Sequence, residues 1–142
     1  MTQVGATRTG GVGRRLLGPA AVLGAVAAGT TWVALVDPHE PGRYPTCPLL
    51  WATGLYCPGC GALRMVHELA HGRLDAALGL NPLLFALLPV FGYLYARWVV
   101  LSVQGRPMSS RLLRPAAVYT LLALVIVFWV VRNLPFGASL AP

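Results

Sequence analysis

Three cysteines and two histidines fall within one short stretch of the chain: Cys47, Cys57, Cys60, His67 and His71. Cys57 and Cys60 form a Cys-x-x-Cys pair, which can cycle between dithiol and disulfide or hold two corners of a zinc ion. His67, Glu68 and His71 form His-Glu-x-x-His, in which two imidazoles one helical turn apart bind zinc and the glutamate serves as general base. A zinc site would use Cys57 and Cys60 with one or both histidines, and Cys47 as a further thiolate. Its spacing, C-x2-C-x6-H-x3-H, is more compact than that of a zinc finger. A redox site would rely on a helix start and on Arg64 to lower a thiol pKa, with Cys47 as resolving partner. A protease would need a third ligand and a cleft, for which the turn-rich surroundings leave little room. The architectural alternative is a compact cap pinned by cysteine, proline and glycine, with a static disulfide.

Location decides among these, because thiols behave differently on the two sides of a membrane. The chain has 142 residues, is 56% hydrophobic and only 11% charged, where soluble domains carry about 25% charged residues. Its net charge is +7, but the arginines flank apolar runs and form no basic face, which excludes nucleic acid as a partner. Three apolar runs, 16–36, 83–103 and 115–131, are each long enough to cross a bilayer as a helix. Arg97, inside the second, lies about 9 Å along the helix from its nearer end and is expected to snorkel to the interface. Tyr93, Tyr95 and Trp98 around it suggest an interfacial belt.

Arginine placement orients the spans. Arg8, Arg14 and Arg15 in the tail 1–15, and Arg106, Arg111 and Arg114 in the loop 104–114, belong on the cytoplasmic side. The segment 37–82 holds Arg43, Arg64 and Arg73 against Asp37, Glu40, Glu68 and Asp75, a formal charge of −1, and faces outward with the tail 132–142. Ala25-Val26-Ala27 within the first run raises a cleaved signal peptide. The apolar run continues past it, so an uncleaved anchor is expected, and the cysteines face outward either way.

Within the outer segment, Pro38 to Pro58 is rich in turn residues, and a helix is expected from Pro58 to His71, closed by Gly72. A shorter helix follows near 74–78, and Asn81-Pro82 caps the second span. On a wheel extended back from the first helix, Cys57, Cys60, Arg64, His67, Glu68 and His71 share one polar face, opposite Leu63, Met65, Val66 and Leu69.

The pattern "CPLLWATGLYCPGCGALR", then "HG" and "NPLLFALLP", resembles a bacterial membrane family known as domain of unknown function 2752. The motif elements are Cys47-Pro48, Thr53-Gly54, Cys57 to Gly61, Arg64, His71-Gly72 and Asn81-Pro82, and the ending "RNLPF", Arg132 to Phe136, is also similar. The resemblance implies an integral membrane protein built around the cysteine segment, with no established activity. Ala62-Leu63, Arg73 and Glu68 depart from the family pattern; a small apolar residue is usual where Glu68 stands, which makes the protease motif an accident of one substitution. The resemblance also suggests that Arg132 and Asn133, leaving span three on the outer side, cap carbonyls of the cysteine segment or pair with Glu68 or Asp75.

The expected molecule is an all-α membrane protein: three transmembrane helices and a short helical Cys/His cap between the first two, held by one zinc ion or a disulfide. It is expected to be a structural or accessory component more than an enzyme, with the bilayer and a membrane protein or second copy as partners. Thiol–disulfide exchange at Cys57 and Cys60 is the alternative, and a His-Glu-x-x-His protease the remote one.

Overall fold

The computed structural model describes residues 11–108 and 110–140, so Arg8 and the start of the basic tail, with the last two residues of the carboxyl tail, lie outside it. The described residues are all-helical, without strands. Three helices are long and apolar enough to cross a membrane: α1 (Val12–Leu35), α5 (Pro82–Val103) and α6 (Pro115–Arg132). Their side chains, among them Leu17, Leu23, Val26, Tyr119, Leu122 and Val127, are largely exposed. So broad an apolar surface is stable only under lipid or a partner.

α1 packs along α5, and Gly18 lets the two approach. A Cβ at Gly18 would stand 3.3 Å from the Trp98 ring, while the Tyr95 hydroxyl donates to the Pro19 carbonyl at 3.0 Å. Tyr95 and Trp98 thus serve helix packing, a role the interfacial-belt expectation left out, whereas Tyr93 is exposed. Gly18→Leu should push Trp98 aside and cost about 1–3 kcal/mol, visible as a lowered thermal midpoint in detergent. An unchanged midpoint would show that this contact contributes nothing.

The cap is made of α2 (Pro48–Thr53), α3 (Ala62–Ala70) and α4 (Leu74–Leu80). α3 lies against α4 and against the end of α1, where Met65 is fully buried. α6 makes few contacts with α1 and α5 and joins the rest through its last residues and the 3-10 turns that flank it. The ends of α1 and α6 and the start of α5 all meet the cap. At the other end of the molecule the Arg15 guanidinium lies against Gly105.

Two local expectations are corrected. The helix does not start at Pro58: Gly61 takes φ +83° and α3 begins after it. Residues 57–61 form a tight turn, with Cys60 N–H on the Cys57 carbonyl at 3.1 Å and Ala62 N–H on the Gly59 carbonyl at 3.0 Å. Glycines on both sides of Cys60 disfavour helix and permit this left-handed step. The cysteines therefore do not sit on the helix wheel. Second, the supposed turn region contains α2, which starts with Pro48 and ends on Gly54 at φ +73°. Proline at the first turn and glycine after the last is a helix signature that was legible in the sequence.

Candidate metal centre

The 57–61 turn brings the thiols together. Sγ of Cys57 and Cys60 are 3.2 Å apart, and the Cys57 N–H points at Cys60 Sγ at 3.3 Å. Cys47, at the N-cap of α2, completes a triangle in which all three Sγ atoms lie within 4.8 Å of one another. Cys60 is buried and the other two half-buried. Burial, then the neighbouring Cys57, pushes the Cys60 thiol up to about 12. The Leu50 N–H at the start of α2, then Cys57, pulls the Cys47 thiol down to about 7, as expected of a sulfur at a helix N-terminus. In the reduced, metal-free chain iodoacetamide should therefore label Cys47 first, at a rate rising through about pH 7. Cys60 should stay unlabelled at neutral pH. Equal labelling of the two, read by peptide mass spectrometry, would contradict this geometry.

Beneath the turn its carbonyls are held by two distant helix ends. Arg132 Nη1 donates to the Cys57 and Cys60 carbonyls at 3.0 and 3.3 Å, and Nη2 to those of Cys60 and Leu140 at 3.4 and 2.9 Å. Asn81 Nδ2 donates to the Pro58 and Cys60 carbonyls at 3.0 and 3.2 Å, while its Oδ1 accepts the Leu84 N–H at the start of α5. Asn133 clamps the segment entering the turn: Tyr56 N–H donates to its Oδ1 at 2.8 Å and its Nδ2 donates to the Tyr56 carbonyl at 2.9 Å. Arg132 is 1% exposed and lies between the faces of Phe128 and Tyr56, 5.0 and 5.8 Å from their centroids. No carboxylate pairs with it among the described residues.

The histidines go elsewhere, which corrects the expectation of a mixed Cys/His site on one face. His67 is buried, its Nδ1 2.9 Å from the Val33 carbonyl, and His71 Nδ1 lies 2.8 Å from the His67 carbonyl. Their rings are 4.3 Å apart and tilted by 36°. His67 groups with Asp37 and His39, neither of which the sequence reading had singled out as a ligand. Glu68 pairs with Arg73 through both carboxylate oxygens, not with Arg132. Arg73 holds its carboxyl below the usual range, so that contribution to stability is complete above its ordinary value and fades as pH falls through the lower folded one. Glu68 is thus occupied and ill placed as a general base. Arg64 Nε reaches the Pro38 carbonyl at 3.4 Å. Pro82 opens α5, and Gly72, at φ +74°, ends the α3 turn.

A cavity of about 650 Å³ opens above the thiols, lined by Pro38, His39, Cys47, Cys57, Cys60 and Arg64 among others. The arrangement can hold a thiophilic ion on three sulfurs or join Cys57 to Cys60.

Comparison with curated proteins and with solved structures returned no significant match. Residues 47–95, from the α2 N-cap through much of α5, match the model of a family described as a protein of unknown function, DUF2752. The match thus spans the cysteine turn, the α3–α4 pair and the first part of α5.

Proposed function

We propose that the chain is a structural or accessory membrane component whose outward-facing cap is held by one zinc ion on Cys47, Cys57 and Cys60. Charge carries the choice of zinc over disulfide. A divalent ion on three thiolates has net charge −1, and directly below it lies a buried guanidinium with no carboxylate partner among the described residues. A Cys57–Cys60 disulfide is neutral and would leave that cation to carbonyl dipoles and two ring faces, with no anion to offset a desolvation cost of several kcal/mol. Zinc must expel the Cys60 proton to bind, which thiolate coordination does readily.

All three cysteines line the cavity, so the fourth tetrahedral position opens into it, for water or for a side chain of a partner. The cap faces outward on the arginine distribution, supported by Arg15 and Gly105 meeting at the end opposite the cysteines. The bilayer is the solvent of α1, α5 and α6.

The second reading is thiol–disulfide exchange, favoured by the 3.2 Å approach of Cys57 and Cys60 and by the lowered Cys47 thiol. Cobalt substitution separates the two. Purified full-length chain loaded with Co2+ should show sulfur-to-metal charge-transfer absorption, lost in Cys57→Ser. Absence of that absorption, with a Cys57–Cys60 disulfide that two equivalents of glutathione reduce to the dithiol while forming glutathione disulfide, would favour exchange instead.

A further inference from the structure

Apart from the thiols, a second cluster of ligand atoms joins the loop after α1 to the middle of α3. Asp37, His39 and His67 each offer one atom, all within 4.8 Å of one another. Asp37 Oδ1 lies 2.8 Å from His39 Nδ1 and 3.8 Å from His67 Nε2. On its far side His39 Nε2 faces Glu68 Oε1 at 3.8 Å.

Protons make this arrangement informative. His67 is more than nine-tenths buried, and its Nδ1 can only donate to the Val33 carbonyl. In the neutral ring Nε2 is then a lone pair, with no hydrogen-bond partner among the described residues, aimed at a carboxylate oxygen. Two acceptors facing each other, one of them on a buried ring, repel unless a cation, a proton or a metal ion, stands between them. A metal ion on Asp37 Oδ1, His39 Nδ1 and His67 Nε2 removes that repulsion. It also leaves His39 Nε2–H directed at Glu68, whose carboxylate is fixed by Arg73. Each imidazole would then carry the outer partner that metal-bound histidines ordinarily have, a backbone carbonyl for His67 and an anchored carboxylate for His39.

We infer that Asp37, His39 and His67 form a second divalent-metal site on the cap, distinct from the thiols and taking a borderline ion of the zinc, cobalt or nickel class. Imidazole and carboxylate donors suit such ions. The Asp37 and His39 side chains are about two-fifths exposed, so the ion exchanges with the surrounding solution, whereas the thiol site lies beneath the cavity.

The test is a Co2+ titration of the full-length chain in detergent, with bound metal counted by elemental analysis and the thiol site followed separately by its charge-transfer absorption. The expected result is one equivalent in excess of that carried by the thiolate band. His39→Ala and Asp37→Asn, both at exposed loop positions, should each abolish this extra equivalent while leaving the band intact. Retention of the extra equivalent in both variants would overturn the assignment. So would a wild-type chain whose bound cobalt is all accounted for by the thiolate band, or that binds none.

Discussion

Arg132→Met should weaken zinc binding about 10–100-fold, the range found when an outer partner of a metal site is removed, and destabilise the zinc-loaded chain by about 1–3 kcal/mol. The guanidinium serves three carbonyls, those of Cys57, Cys60 and Leu140. Without it the Cys57 carbonyl keeps the Cys60 N–H and the Cys60 carbonyl keeps Asn81 Nδ2, so that of Leu140 is the one that loses its donor. A buried acceptor left unmade costs about 1–3 kcal/mol. Charge and hydrogen bonding can be separated with Arg132→Lys. Lysine keeps the positive charge but has no planar fork to reach carbonyls on both sides. It should restore most of the zinc affinity and little of the thermal stability. Equal zinc affinity in wild type and Arg132→Met, measured by competition with a chelator, would remove the electrostatic role assigned to Arg132.

Cys60→Ser should have the largest effect on metal binding, a loss of roughly a thousandfold or more. Structural zinc contributes about 10–16 kcal/mol in small zinc-held units, and one of three thiolates is a sizeable share of that. Cys60 is the sulfur held most firmly, buried in a turn whose carbonyls are tied to Asn81 and Arg132. Serine is nearly isosteric, so the metal-free variant should unfold close to metal-free wild type, and the deficit should appear only when zinc is added. A variant equally impaired with and without zinc would instead mark Cys60 as a packing residue.

The spans were legible because a bilayer demands long apolar runs, and three such runs stand out in this chain. The nearness of Cys57 and Cys60 was also legible, since two intervening residues keep them close whatever the local structure. The start of α3 was not, because Pro58 suits a first helical turn as well as it suits the turn it occupies. Only the left-handed Gly61 decides between them. The assignment of the histidines failed for a different reason. A helical wheel relates residues within one helix, whereas Asp37 and His39 reach His67 because α3 docks on the end of α1. The contacts of Arg132 and Asn133 with the cysteine segment join residues more than seventy apart in sequence. What suggested them was a resemblance in the ending of the chain, not any local pattern.

The zinc content of detergent-purified full-length chain, measured beside the Cys57→Ser/Cys60→Ser double variant with thiol counting on both, tests the metal-held cap most directly. The expected result is one zinc per chain more in the wild type than in the double variant, with no disulfide. Identical zinc content in the two, together with a Cys57–Cys60 disulfide in the wild type, would contradict it.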